Sequence, residues 1–187
     1  MGASSGIGND ILKLFLNNKK IKIISTYYKN KINYKRKNLI VKNLNIENNI
    51  SDIFNIIRKY CPLNIYYFPT PRIQNKSNDS KLIKLYRNYY IYWPIKIIKF
   101  ADKYKCNFFY PSTTFIKKNN LSPYAAIKLE AEKKILKLKK LKNQVNMIRI
   151  PQINTKQNLL LINHKLPNFR NLISNNKKIQ DAVFFKN

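Results

Sequence analysis

The apolar positions of this chain follow two alternating periods. Short runs rich in Ile, Val, Tyr and Phe are typical of strands that are buried on both faces. Longer stretches have apolar residues every three or four positions, which predicts amphipathic helices. The predicted strands are residues 21–26, 38–41, 64–68, 106–110 and 144–150. The predicted helices are residues 7–16, 50–60, 80–104 and 123–141, and we expect Pro94 to bend or split the third of them.

Strands that alternate with helices of this length indicate βαβ units. They predict an α/β fold in three layers, a doubly wound parallel sheet with helices on both faces. No composition break or internal repeat divides the chain, so we expect one domain over residues 1–155. Residues 156–187 then form a short tail, loosely packed helix and coil, that completes or flanks that domain.

The three glycines of the chain all lie in the segment Gly2–Gly8, at the start of the first predicted helix. Average usage is about 7% glycine, so a chain that avoids it elsewhere is using it here for a reason. A loop that wraps a phosphate needs positive φ angles or close backbone approach, and the amides that open a helix attract anions. In a doubly wound sheet such a loop follows the first strand, and Met1 stands where that strand would end. We therefore expect the first strand to be missing or truncated, as if the chain started at an internal methionine of a longer reading frame.

Composition narrows the function classes. The formal charge of +29 would attract polyanions, but Lys, Asn, Ile, Tyr and Phe are enriched together, and all have codons rich in A and T. We therefore favour mutational bias and expect no specific nucleic-acid partner. No apolar run approaches the length of a membrane span and no signal sequence is recognisable, which predicts a soluble cytoplasmic protein without a membrane partner. Cys61, Cys106 and His164 lack the spacing of metal ligands, so no metal site is expected.

A second group of residues suggests acid–base chemistry. Tyr124 and Lys128 are four positions apart in a predicted helix and so share a face. An adjacent ammonium would stabilise the phenolate and lower the pKa of Tyr124, which could then exchange a proton with a carbonyl oxygen. The hydroxyls of Ser112 and Thr113 follow a predicted strand, at the ligand-binding edge of a parallel sheet, and either of them could bind that oxygen.

Taken together, these motifs resemble those of the short-chain dehydrogenase/reductase family, whose fold is Rossmann-like. Gly2–Gly8 matches the GxxxGxG cofactor loop, Tyr124 and Lys128 match the YxxxK pair, and Ser112 matches the catalytic serine. Asn88 lies on the preceding helix, where the family has a structural and proton-relay asparagine. The resemblance covers residues 1 to about 155.

The resemblance implies a role for each of these residues. The catalytic set would be Ser112 or Thr113, Tyr124 as general acid/base, Lys128 on the nicotinamide ribose, and Asn88. The cofactor contacts would come from Gly2, Ser4, Ser5, Gly6, Ile7, Tyr28, Lys29, Asn45, Lys128 and Pro151. Asn45 replaces the aspartate that contacts adenine in the family. The segment 68–72 replaces an NNAG-like turn with prolines, which have no amide to donate.

The expected cofactor is NADP, with NAD as the alternative. The end of the second strand of such a fold, here residues 25–31, carries no acidic side chain that would bind a ribose diol and exclude a 2′-phosphate. We therefore predict an oxidoreductase that moves hydride between a nicotinamide and a small carbonyl or alcohol substrate, and the resemblance suggests a homo-oligomer. The alternatives are a degenerate dinucleotide-binding protein without catalysis and, less favoured, a basic polyanion-binding protein.

Overall fold

The computed structural model describes residues 1–71, 79–117, 121–138, 141–153 and 166–186. Its strands are β1 (Ile23–Tyr27), β2 (Leu39–Asn43), β3 (Asn64–Tyr66), β4 (Asn107–Thr113) and β5 (Val145–Ile150). Its α-helices are α1 (Gly6–Leu16), α2 (Ser51–Tyr60), α3 (Ser80–Arg87), α4 (Trp93–Asp102), α5 (Pro123–Leu136), α6 (Phe169–Asn175) and α7 (Lys177–Phe184). The predicted order of strands and helices is confirmed up to β5.

All strand pairs are parallel, and they form two sheets, β2–β1 and β3–β4–β5. Residues Met1–Ala3 lie between the two sheets at their carboxyl ends. The Met1 amine donates to the Tyr66 carbonyl at 2.6 Å, and the Phe68 amide donates to the Met1 carbonyl at 3.1 Å. On the other side the Ala3 amide donates to the Thr26 carbonyl at 3.1 Å. These three residues join β1 to β3 as the end of an intervening strand would.

Helices cover both faces of the strands, which confirms the three-layer arrangement. On β4, Phe108 and Tyr110 face a core shared with α2, α3, α4 and α5, whereas Phe109 faces a core shared with α1, α6 and α7. This alternation along one strand produces the two apolar layers.

The carboxyl-terminal helices differ from the expected loosely packed tail. Phe169 and Ile173 of α6 and Ile179 and Val183 of α7 are buried beside α1 and β5. Sequence reasoning missed this because the apolar residues are few and separated by Asn and Lys. His164 lies outside the described residues.

Residues 80–102 form one helical run that widens into π-helical turns at Asn88–Tyr92. Pro94 has no amide hydrogen to donate to the carbonyl four residues earlier, and its ring would clash with that carbonyl in a regular α-helix. The Trp93 amide donates to the carbonyl of Asn88, five residues earlier, which is the π-helical pattern. The wider turns accommodate Pro94, so the helix is not split at this proline.

The π-helical turns leave two carbonyls for side chains to satisfy. The Tyr67 hydroxyl donates to the Tyr89 carbonyl at 2.8 Å, and the Tyr110 hydroxyl donates to the Tyr90 carbonyl at 2.9 Å. Both tyrosine side chains are fully buried, so their hydroxyls need hydrogen-bond partners inside the core. The two carbonyls of the π-helical turns are those partners. These bonds fix Tyr90 above the carboxyl end of β4.

Two further findings concern membranes and metals. None of the described helices has both the length and the apolar composition needed to cross a bilayer. Both cysteines are free thiols, Cys61 exposed and Cys106 buried. In the described part of the chain, no three His, Cys, Asp or Glu side chains group as a metal site would require.

Candidate functional site

A cleft of about 380 Å³ runs along the carboxyl edge of the strands, within the range of small-molecule sites. It brings together residues from the glycine loop, the ends of β1, β4 and β5, and α5. The predicted site residues that line it are Gly2, Ser4, Ser5, Gly6, Ile7, Tyr28, Lys29, Asn45, Ser112, Thr113, Tyr124, Lys128 and Pro151. Asn88 is not among the lining residues: it lies half-buried at the start of the π-helical turns. Tyr89 and Tyr90, which follow it, do line the cleft.

The glycine loop packs too closely for side chains. Gly2 has a φ of +67°, and a Cβ added to it would lie 2.8 Å from the backbone nitrogen of Pro69. A Cβ added to Gly8 would lie 2.3 Å from the Gly2 carbonyl oxygen, well inside van der Waals contact. The loop therefore folds back on the first turn of α1. The Ser5 side chain makes no capping bond to α1, and residues 5–8 of that turn line the cleft.

The charge of the cleft suits an anionic ligand. Lys29, at the end of β1, and Lys128 are its cationic side chains, and the described lining contains no Asp or Glu. Tyr28 is 47% exposed, and the Lys29 ammonium lies 5.7 Å from the centre of its ring. Asn45 also lines the cleft, and the carbonyl of its side-chain amide accepts a bond from the Glu47 backbone amide at 3.0 Å.

Tyr124 and Lys128 occupy adjacent turns of α5, on the face that meets β4. The helix starts at Ser122, whose hydroxyl accepts from the Ala125 amide at 3.3 Å, and Pro123 fits the first helical position. Burial raises the pKa of Tyr124 to about 12, although the nearby Thr113 hydroxyl acts in the opposite direction. The pKa of Tyr124 is therefore shifted opposite to the expectation that Lys128 lowers it.

Lys128 is held by a carbonyl and two aromatic rings. Its ammonium donates to the Pro111 carbonyl at 2.6 Å and lies 4.4 and 4.5 Å from the ring centres of Tyr90 and Tyr110. These contacts stabilise a cation. Burial nevertheless lowers the pKa of Lys128 to about 7, with Glu132 acting to raise it. The ammonium is thus turned toward β4 rather than toward Tyr124.

The two candidate hydroxyls on β4 have different surroundings. Thr113 interacts with the Tyr124 phenol and accepts a bond from the Phe115 amide at 3.3 Å. The Ser112 hydroxyl is buried and faces Glu132, but it does not reach the distance and angle of a full hydrogen bond. Thr113 is therefore the hydroxyl next to the candidate acid/base.

Tyr90 lines the cleft beside Tyr124, and the sequence analysis did not identify it as a site residue. The ring of Tyr90 lies 5.4 Å from that of Tyr124, and its hydroxyl is 2.5 Å from the Thr70 hydroxyl. Thr70 belongs to the proline-containing turn after β3, so the departure from the NNAG-like pattern places a hydroxyl pair in the cleft. In the sequence, only the unusual turn could have pointed to Tyr90, because a tyrosine in a tyrosine-rich helix does not by itself indicate a site.

No family model and no curated protein matches the chain. Solved structures do: a short-chain dehydrogenase family protein from Francisella tularensis is 20% identical, with a TM-score of 0.70 over 93% of this chain and 72% of that one. A short-chain dehydrogenase from Burkholderia cenocepacia in complex with NADP is 12% identical, with a TM-score of 0.72 over 89% and 76%. A 4-hydroxyisoleucine dehydrogenase complexed with NADH and succinate is 19% identical, with a TM-score of 0.72 over 98% and 87%. The chain has the Rossmann-like fold of these dehydrogenases.

Proposed function

We propose that this protein is an NADP-dependent oxidoreductase that transfers hydride between the nicotinamide and a small carbonyl or alcohol substrate. The observation that carries the proposal is the single cleft lined by the glycine loop at one end and by Thr113, Tyr124 and Lys128 at the other. The three solved structures compared above are dehydrogenases, and two of those three contain NADP or NADH.

The glycine loop fits the pyrophosphate of a dinucleotide. The glycines let the loop pack closely on α1, and the amides at the start of α1, which the Ser5 side chain does not cap, would hold the phosphate oxygens. Asn45 would contact the adenine. Lys29 would bind a 2′-phosphate, and the absence of an acid at the described end of β1 removes the usual obstacle to that phosphate.

Tyr124 would act as the proton donor to the substrate oxygen. Because burial raises the pKa of Tyr124 to about 12, its phenol carries the proton at neutral pH. That state favours carbonyl reduction, in which a proton must be delivered. Thr113 would bind the same oxygen and orient it toward Tyr124.

Lys128 would hold the nicotinamide ribose and keep a positive charge beside the reacting oxygen. The cofactor supplies the hydride chemistry when it is bound, and the chain positions it. The Pro111 carbonyl and the rings of Tyr90 and Tyr110 fix the ammonium on the floor of the cleft.

The proposal is tested with purified wild-type protein, Tyr124→Phe and the control Tyr34→Phe, an exposed tyrosine outside the cleft. Fluorescence titrations compare NADPH with NADH, and NADPH oxidation is followed with a panel of aldehydes and ketones. We expect tighter binding of NADPH, and a loss of about 10²-fold or more in kcat for Tyr124→Phe with little change in NADPH affinity.

The outcomes separate the alternatives. Undiminished turnover by Tyr124→Phe would remove this residue from the mechanism. Binding of NADPH without turnover of any carbonyl would support the non-catalytic alternative, and absence of binding to either nucleotide would overturn both.

A further inference from the structure

Glu132 is a buried acid just beyond the proposed site. Among the described residues, Lys128 and Glu132 are the charged residues that the core buries, each with 5% exposure. They lie on successive turns of α5, so their side chains share a face. A buried charge is costly unless other charges or hydrogen bonds compensate it, and the two residues carry opposite charges.

The direct bonds of Glu132 go to β5. Its carboxylate accepts from Arg149 Nε at 3.0 and 3.2 Å and from Arg149 Nη2 at 2.7 Å, which is a bidentate pair. Arg149 is partly exposed, with 39% of its side chain accessible. Burial acts to raise the pKa of Glu132, but the Arg149 pair, assisted by Lys128, outweighs it and lowers that pKa, which keeps the carboxylate ionised. The carboxylate is thus a fixed negative charge between two cations.

The groups that face Lys128 show why this charge matters. From β4 come the Tyr110 ring and the Pro111 carbonyl, and from the π-helical turns the Tyr90 ring. On α5, Glu132 follows Lys128 by one turn and Tyr124 precedes it by one turn. The three tyrosines are protonated at neutral pH because burial raises the pKa of each. Glu132 is therefore the only formal negative charge among these groups.

We propose that Glu132 is a positioning residue that keeps the Lys128 ammonium charged and directed at the Pro111 carbonyl, and that Arg149 limits the strength of this effect by neutralising part of the carboxylate charge. The importance of this charge for cofactor binding rests on the role given to Lys128 in the proposed function, whereas its effect on the Lys128 ammonium does not.

The test measures the pKa of Lys128 by NMR in protein labelled with ¹³C at lysine Cε, without cofactor or substrate. The Lys128 signal is the one lost in Lys128→Met. Glu132→Gln removes the negative charge and should lower the pKa of Lys128 by about one unit or more. Arg149→Gln removes the cation that neutralises Glu132 and should raise the pKa of Lys128. Glu130→Gln is the matched control, since Glu130 pairs with Arg87 and Lys134 instead.

The opposite signs distinguish positioning from a merely structural role. Glu132→Gln and Arg149→Gln both break the same ion pair, so a structural role predicts that both lower the melting temperature and leave the pKa of Lys128 unchanged or shifted in one direction. Either of those pKa results overturns the proposal. Should Glu132→Gln fail to fold, Arg149→Gln and the conservative Glu132→Asp still decide it, because the first must raise the pKa and the second must keep it near the wild-type value.

A second measurement separates this inference from the proposed function. NADPH affinity is titrated against pH in the same variants, and loss of affinity should move to lower pH in Glu132→Gln along with the Lys128 pKa. If the pKa shifts while the pH dependence of NADPH binding does not, Glu132 positions Lys128 but Lys128 does not bind the cofactor. In that case Lys128 is removed from the cofactor contacts of the proposed function, and the inference about Glu132 stands.

Discussion

The hydroxyl of Tyr110 is predicted to compensate for the backbone donor that Pro94 lacks. In a regular helix, the amide of residue 94 would donate to the Tyr90 carbonyl, and proline cannot do so. The Tyr110 hydroxyl fills that place at 2.9 Å, in a core where Tyr90 is 2% exposed. Tyr110→Phe leaves this carbonyl buried without a donor, which costs about 1–3 kcal/mol of unfolding free energy.

A double-mutant cycle with Pro94→Ala tests this reasoning. Alanine restores an amide at position 94, and once proline is gone the π-helical turns can close to a regular α-helix in which that amide donates to the Tyr90 carbonyl. In that background Tyr110→Phe should cost less than about 1 kcal/mol. The expected coupling between the two substitutions is therefore about 1 kcal/mol or more. Urea unfolding is followed by the fluorescence of Trp93, the single tryptophan, and by circular dichroism.

Tyr66→Phe is the control for the cycle. Its hydroxyl donates to the Val183 carbonyl at 2.7 Å on the other face of the sheet, so its cost should add to that of Pro94→Ala within about 0.5 kcal/mol. If Tyr110→Phe costs the same with proline and with alanine at position 94, the hydroxyl does not replace the missing amide and the reasoning fails.

Two further predictions concern the cleft. Gly8→Ala places a Cβ 2.3 Å from the Gly2 carbonyl and should weaken NADPH binding about tenfold or more by displacing the loop, whereas Asn17→Ala at the far end of α1 should leave the affinity unchanged in the same fluorescence titration. Thr113→Val should lower kcat by about 10²-fold because it removes the hydroxyl next to Tyr124, while Ser112→Ala should have little effect. The reverse order of these two kcat values would assign the catalytic hydroxyl to Ser112.

The order of strands and helices could be predicted because each relies on local periodicity. The apolar runs of β1 to β5 and the stripe of α2 are visible in the sequence, and the alternation of strands with helices implies a parallel sheet. The glycine loop could also be located, since glycine occurs nowhere else in the chain. The packing of α6 and α7 was not visible, because four apolar side chains separated by Asn and Lys make a weak pattern until β5 and α1 supply the other half of the core.

The π-helical turns show a different limit. Pro94 was recognised as a perturbation, but whether a proline splits a helix or is absorbed by it depends on donors from elsewhere in the chain. Here Tyr67 and Tyr110 provide them from outside the helix, one from just beyond β3 and the other from β4. Sequence spacing within residues 80–104 contains no information about these two hydroxyls.

The Tyr124–Lys128 pair shows why spacing alone does not fix chemistry. Four-residue spacing correctly predicts that both side chains lie on one helix face and enter the same cleft. Their protonation depends on what the rest of the fold places around them: burial raises the pKa of Tyr124, and the Pro111 carbonyl draws the ammonium of Lys128 toward β4. A tyrosine that keeps its proton is suited to deliver it to a carbonyl oxygen. The tertiary environment, rather than the motif, therefore sets the protonation state of Tyr124 at neutral pH.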